Sequence, residues 1–469
     1  MIRHVDIAVI GAGPAGMAAA TEAARAGLSV TVLDEAPAPG GQIYRGIETA
    51  GPRRMQILGA DYAEGRGIAQ SFRASGAEYL SGALVWNIGT DRMIDYSHQG
   101  ASHQLQAGAI IAATGALERP MPVPGWTLPG VTTVGALQIL LKASGVVAED
   151  AVLVGSGPLL WLLAAQMVDA GCPPRAVVEN LPRGRMRAAL PHMLGALRAR
   201  SYLTKGLGLM RKVRRAGVPV HRHASDLAIE GGDAARALSF TTAGRAQRIE
   251  TTTIALHQGV VPNQQVTRLM RADHRWDRSQ HCFRPVLDEN GLTSVPGLYV
   301  AGDGAGIGGA KAAALQGRLV ALAIAGAAGK PVDGARMARL RAGLARDAAI
   351  RPLLETLYAP APQILAPADA TIVCRCEEVR AGTIRQTVDL GAPGPNQVKS
   401  MLRTGMGPCQ GRVCGLAVAG IIAARKGEDP QVTDYYRIRP PLKPIALSEL
   451  AAFAPQEAVP EVAPEVAAE

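Results

Sequence analysis

Residues 8–16 read AVIGAGPAG, and the fold follows from how that stretch is flanked. An apolar run from Val5 to Ile10 enters it, and an Ala-rich helical pattern, MAAATEAARAG, leaves it. Strand, glycine turn and helix in that order make a nucleotide-binding βα unit. Gly11 permits the turn, Gly13 lets a pyrophosphate approach the backbone, and Gly16 lets helix and strand pack closely. Pro14 and Ala15 open the helix, whose N-terminus offers free N–H groups and the positive end of a dipole to phosphates. The next strand, LSVTVLD, ends at Asp34, followed by Glu35; Asp34 is 21 residues beyond Gly13, where a carboxylate takes the ribose hydroxyls.

Working outward, the 469 residues have material for about three domains. Apolar residues make up 48% and charged residues 19%, the balance of a globular protein. No segment reaches the ~20 unbroken apolar residues of a membrane span. The N-terminus reads as a strand of the fold and not as a signal peptide, so a cytoplasmic location is expected, with membrane association only through an electron acceptor. The net charge of +10 is concentrated. Residues 180–225 hold no acid but carry Arg183, Arg185, Arg187, Arg198, Arg200, Lys205, Arg211, Lys212, Arg214, Arg215 and Arg222. No aromatic stacking cluster accompanies them, which argues against nucleic acid and for a solvated face or a docking surface for an acidic chain.

After Asp34, the loop EAPAPGGQIYRG brings Gly41 and Gln42 over the nucleotide. A helical pattern runs from about Gln56 to Ser75, and a buried strand ends in Thr114-Gly115. The Pro/Gly-rich ERPMPVPGWTLPG (residues 118–130) reads as a crossover. A second strand–glycine–helix unit follows, AVLVGSGPLLWLLAAQMVDAG, with Gly155 and Gly157 but Leu160 at the third glycine position and Glu179 ending the next strand. Its helix is expected to stand farther from its strand, and the unit to bind an altered ligand or none. Short strands fill 237–256. Then LYVAG delivers Gly302 and Asp303 ahead of a small-residue helix, a helical segment spans 335–349, and a Pro/Ala linker spans 359–370. From Ala451 the Ala/Pro/Glu/Val composition implies a disordered tail.

The three motifs in this order resemble the two-dinucleotide-domain flavoproteins, in which an FAD domain is interrupted by an NAD-like domain. The resemblance covers about Val5–Gly329. It implies that Asp303 holds the ribityl–pyrophosphate part of FAD, and that the helix after it points its N-terminus at the N1–C2=O edge of the flavin. The redox cysteine pair of the disulfide reductases in that family is missing: GGQIYRG has no Cys, and the second unit has only Cys172. Cys172 and Cys282 are expected to be buried small hydrophobes.

Four further cysteines are grouped as C-x-C-x32-C-x4-C: Cys374, Cys376, Cys409 and Cys414. Such grouping points to a metal centre, and four thiolates suit zinc or an iron–sulfur cluster. The module CRCEEVRAGTIRQTV…GMGPCQGRVCG resembles the bacterioferritin-associated-ferredoxin type of [2Fe–2S] domain, departing from it in the four-residue spacing of its second pair. A redox-active centre also suits a flavoprotein, because zinc cannot pass single electrons.

Taken whole, the chain resembles the larger (alpha, or A) subunits of heteromeric amine-oxidising flavoenzymes: opine oxidases, hydroxyproline dehydrogenases and hydrogen cyanide synthase. The resemblance implies an α/β fold with two Rossmann-like domains and a small C-terminal iron–sulfur module. The expected divisions are 1–120 and 259–335 for the two parts of the FAD-binding domain, 121–258 for the NAD(P)-like domain and 336–370 for a helical segment and linker. The BFD-like domain takes 371–430, and 431–469 is a partly disordered extension. It further implies FAD, a [2Fe–2S] cluster and a second nucleotide or FMN near the second unit or a subunit interface. The implied partners are a catalytic flavoprotein subunit of D-amino-acid-oxidase type, an electron acceptor and a small third subunit, with no nucleic acid and no membrane span. The implied reaction is oxidation of a CH–NH bond in the partner, with electrons relayed by this chain. A self-sufficient NAD(P)H-dependent reductase feeding its own cluster is the alternative, and a non-catalytic nucleotide-binding scaffold a third reading. No His, Ser or carboxylate stands out as a general base.

Overall fold

The strand Arg3–Ile10 lies at the centre of a seven-stranded sheet in a computed structural model that describes residues 2–451 and 453. It pairs in parallel with Val30–Asp34 on one side and Ala101–Ala112 on the other. Glu78–Ser81 extends the parallel half beyond Val30–Asp34, and Leu298–Val300 pairs in parallel with the end of Ala101–Ala112. The other half is an antiparallel meander, Leu84–Ile88, Met93–His98 and the start of Ala101–Ala112. The strand expected to end in Thr114-Gly115 stops at Ala112 and is longer than its buried portion suggests, since its first residues pair within the meander. The second half of Arg3–Ile10 is buried on both faces, which explains its unbroken apolar run.

Pro14 at the first turn and a run of alanines make Pro14–Arg25 a helix. A Cβ at Gly16 would fall on the carbonyl oxygen of Gly11, so the helix can start only where residue 16 has no side chain. Ala310–Ala327 packs across the same helix, with Gly317 against the backbone of Ala15. By length and composition this is the one described helix able to cross a membrane, yet it is a core helix: Ala312–Ala314 and residues 319–322 are buried. The helical pattern after Gln56 is broken: Pro52–Leu58 and Ala60–Arg73 are separate helices hinged at Gly59.

The second unit forms a five-stranded parallel sheet in the order Val220–Arg222, Ala176–Glu179, Val152–Gly155, Ile254–His257, Val131–Thr133. An antiparallel trio, Ser225–Gly231, Ala235–Thr242 and Arg245–Glu250, flanks it. Leu160 is fully buried between helix Pro158–Asp169 and this sheet. Cys282 is buried, as expected, but Cys172 is half-exposed, because it follows the helix C-terminus at a surface turn.

The cysteine module pairs Ile372–Cys374 with Val379–Arg380 and adds helices Ala381–Asp389, Pro395–Leu402 and Gly415–Lys426. It is not an appendage. Cys374, Ile384, Val398, Cys414 and Ile422 share one core with Ile94, Leu105 and Leu298 of the first sheet and with Phe283 of the two-stranded sheet His274–Asp277/Cys282–Pro285. Residues 431–442, the start of the C-terminal extension, are part of that core too, through Tyr435, Tyr436, Ile438 and Leu442. The tail expected to be disordered lies outside the described residues except for Ala451 and Phe453, whose ring meets Trp86.

Candidate cofactor sites

The three sequence motifs converge. Gly11 adopts φ +103°, and its outer face lies on the Ala113–Thr114 backbone. Gly13 lies against Gly41, and the Gly40 N–H donates to the Ala12 carbonyl at 2.8 Å. Gly302 abuts Ala15, and Gly304 lies beside the Gly115 carbonyl and the Thr114 hydroxyl. Pro14 starts the helix beneath Gly41.

Asp34 is buried at the end of its strand. One carboxylate oxygen accepts from the Ala12 N–H inside the glycine loop, and the other from the Ala36 N–H at 2.7 Å. Burial pushes its pKa up, against those two hydrogen bonds. Glu35 differs: it is exposed and pairs with Lys443. Asp303 does not cap a helix. One of its oxygens accepts from both Gly308 and Gly309 N–H at 2.8 Å, which fixes the loop ahead of Ala310–Ala327. The Gln42 side chain is exposed, and the Gln42 backbone carbonyl accepts from Lys142 Nζ at 3.1 Å.

Lys142 had no signal in the sequence. It is buried at the end of helix Val134–Ser144, donates also to Gln138 Oε1 at 2.8 Å, and is pushed down to about 7 by burial, with Arg45 adding to the shift.

This cradle fits a dinucleotide. A Cβ on Gly13 would meet only the Gly41 Cα, at 3.9 Å, so the open face of the loop is free for a phosphate while a buried carboxylate stands at the strand end.

The four grouped cysteines form two facing pairs, Cys374 with Cys414 and Cys376 with Cys409. Cys374 is pulled down to about 6, first by the hydrogen bond from Cys414 and then by backbone N–H groups of Gly405, Glu377 and Cys376 working against burial. Cys414 is correspondingly raised, by Cys374 first and burial second. Tyr436 Oη lies 3.8 Å from Cys414 Sγ, and Tyr435 donates to the Gly411 carbonyl at 3.1 Å. Among the described residues, no three His, Cys, Asp or Glu side chains are grouped as a single-ion site. Two thiol pairs ringed by N–H donors are instead the donor set a two-iron cluster takes. The x4 spacing of Cys409 and Cys414 is accommodated by a turn with Gly411 at φ +79° leading into helix Gly415–Lys426.

The two sites are joined. Asn263 N–H donates to the Gly115 carbonyl at 2.9 Å, and the Thr114 hydroxyl donates to the Asn263 carbonyl at 3.1 Å. Two residues on, Gln265 Nε2 donates to the carbonyl of Gln410, beside Cys409, at 3.3 Å.

Residues 5–317 match the pyridine nucleotide-disulphide oxidoreductase family, and residues 372–424 match the BFD-like [2Fe-2S] binding domain. Over 449 residues the chain is 42% identical to the A subunit of opine oxidase from Rhizobium meliloti (strain 1021), covering 95% of this chain and 98% of that one. The chain belongs to the family of opine oxidase A subunits. It is also 32% identical over 427 residues to hydrogen cyanide synthase subunit HcnB of Pseudomonas aeruginosa, covering 87% of this chain and 90% of that one. Among solved structures, L-proline dehydrogenase from P. horikoshii shares the fold, with a TM-score of 0.69 at 18% identity over 97% of this chain and 81% of that one. Family membership makes the chain an FAD- and [2Fe–2S]-binding oxidoreductase.

Proposed function

We propose that this chain is the electron-relay subunit of a multi-subunit oxidase. The CH–NH bond of an amino-acid-derived amine, of opine, hydroxyproline or glycine type, is broken in a partner subunit of D-amino-acid-oxidase type. The observation that carries this reading is the bridge just described, which ties the FAD cradle to the cysteine centre through Thr114, Asn263, Gln265 and Gln410. Gly11 and Gly13 give the pyrophosphate its place, with Gly16 packing the helix that closes the FAD site, Asp34 holds the ribose and Asp303 the loop over the ribityl chain; Cys374, Cys376, Cys409 and Cys414 ligate iron. When bound, the flavin accepts a two-electron equivalent and the cluster passes single electrons, a division of labour that needs both.

The second glycine loop argues against NAD(P)H as donor. Gln258 Nε2 donates to Ser156 Oγ at 2.6 Å, and Asn180 Nδ2 donates to Gln258 Oε1 at 2.8 Å, so the loop is tied by the chain's own side chains. Gly157 also faces the ring of His257, whose Nδ1 is 2.5 Å from Glu118. The acid-free segment carries exposed Leu190, Leu194 and Leu197 among its arginines, which suits contact with an acidic partner face.

The test is purification from the native host with native mass spectrometry and cofactor extraction. Amine-dependent bleaching of flavin that appears only in a complex is expected, and NADH bleaching of the isolated chain is the contrary result. Cys376→Ser is expected to stop transfer to an artificial acceptor with flavin content unchanged; loss of flavin would make the module purely structural.

A further inference from the structure

Between the ligand cysteines Cys409 and Cys414 lies Arg412, half-buried, its Nη1 donating to the Cys409 carbonyl at 3.2 Å. Its Nε is buried with no partner among the described residues. Burial weighs against its charge, and Glu35 first, then the Cys409 thiol and Tyr435, lie close enough to act on that charge in the opposite sense. The other cations near the thiols are differently placed. Arg403 is paired with Glu377 at 3.1 Å, and Lys399 lies over the Tyr436 ring at 5.6 Å. Arg375, between Cys374 and Cys376, is exposed to solvent, so Arg412 is the half-buried cation seated between two of the cysteines.

Four thiolates, two sulfides and two ferric ions sum to a net negative charge that grows by one on reduction. A fixed positive charge beside a ligand stabilises the reduced state more than the oxidised one. Glu35 stands one residue from Asp34, at the edge of the FAD cradle, and offsets part of that charge; it is exposed, so water and salt weaken its share.

We propose that Arg412 raises the reduction potential of the [2Fe–2S] centre so that it accepts an electron from reduced flavin, and that Glu35 opposes it from the flavin side. The inference rests on the relay reading. The step is one electron leaving reduced flavin and entering a ferric iron, with no bond made or broken in the chain. Arg412 is a positioning residue: it acts through charge, not through ligation.

The experiment is an anaerobic redox titration of the full chain, reading flavin by absorbance and the reduced cluster by electron paramagnetic resonance, with iron content measured for each variant. Arg412→Gln is expected to lower the ratio of reduced to oxidised cluster at a fixed flavin poise about tenfold, equivalent to about 59 mV for a one-electron couple. Arg412→Lys is expected to restore most of it, and Glu35→Gln to shift it the other way by less. An unmoved midpoint in Arg412→Gln with full iron content overturns the proposal. If Arg412→Gln loses iron, Glu35→Gln decides, and a shift downward or none rejects it. Absence of any reducible iron signal in the unmodified chain sinks the relay reading instead.

Discussion

Gly13 and Gly16 lie three residues apart in one loop, and the structure gives them opposite reasons for being glycine. At Gly16 an added Cβ strikes the backbone of Gly11, so Gly16→Ala is expected to destabilise the chain by about 1–3 kcal/mol, as overpacking does, and to lower flavin content with it. At Gly13 the backbone is ordinary (φ −75°) and the added carbon meets almost nothing. Gly13→Ala is therefore expected to keep its melting temperature as apoprotein while losing flavin at least tenfold, because the methyl group occupies the phosphate's approach. Thermal melts of stripped protein beside flavin content check both, and a folded, flavin-replete Gly13→Ala refutes the cradle. Lys142 supports a pH prediction. Its folded pKa, about 7, lies below the unfolded value near 10.4, so between those limits the unfolded chain binds more protons and stability rises with pH. Compared with Lys142→Met, the unmodified chain should gain about 1 kcal/mol per pH unit between pH 7.5 and 9.5, read from paired urea titrations. A flat difference across that window would falsify a buried, neutralising lysine. The glycines and Asp34 were legible in the sequence because a βα turn is local: turn, helix start and strand end lie within 35 residues. Glu35 was not separable from Asp34, since only the strand's side-chain alternation decides which of two adjacent acids faces the loop. Lys142 and Arg412 were not legible either, because what makes them matter is burial contributed by segments far away in the chain.

At the scale of elements, small residues decide how closely the helices lie. Pro14–Arg25 and Ala310–Ala327 cross with Gly317 against the Ala15 carbonyl, so backbone meets backbone at the place where both helices lead into the cradle. Gly317→Val cannot be absorbed by a rotamer change, since the obstacle is main chain. It is expected to cost about 3 kcal/mol and to loosen the loop that Asp303 holds, releasing flavin. Gly420, inside helix Gly415–Lys426 with open space at its Cβ position, is the control: Gly420→Ala is expected to stabilise by about 0.5–1 kcal/mol. Chemical denaturation of the pair separates helix propensity from close packing, and a neutral Gly317→Val removes the close-packing account. The Ala/Gly richness of both helices was plain in the sequence. Which faces met was not, because a helix small on most sides has no apolar stripe to read. The opposite failure occurred in the Gln56–Ser75 pattern, where periodicity continued across Gly59 although the chain turns there.

In the whole molecule, the cysteine module and the first sheet share a single apolar interior, although their sequences read as separate domains joined by a Pro/Ala linker. The linker itself is partly built in: Pro362–Leu365 is a helical turn with Ile364 buried, and Trp126 Nε1 donates to the Ile372 carbonyl at 2.7 Å, pinning the crossover to the strand that carries Cys374. On the other side of that interior, Phe283 is fully buried, in edge-to-face contact with Tyr435 at 6.1 Å, and the Arg268 guanidinium lies against both rings, 4.9 and 4.8 Å from their centres. Cutting the chain after residue 366 would strip Tyr435 from Arg268, remove its ion pair to Asp434, and expose Ile94, Leu105, Phe283 and Leu298 together. Each large apolar side chain returned to water costs about 1.5–3 kcal/mol, so the four together cost as much as the 5–15 kcal/mol by which a domain is usually stable. The 1–366 fragment is therefore expected to be insoluble or molten and to retain no flavin, whereas a linker-joined module would leave a yellow, cooperatively melting flavoprotein behind. Expression of that fragment, followed by its absorbance spectrum and its melt, distinguishes the two. A soluble fragment with full flavin would mean that the shared interior contributes nothing to holding the cradle, and that the bridge from Thr114 to Gln410 is a contact between independent bodies.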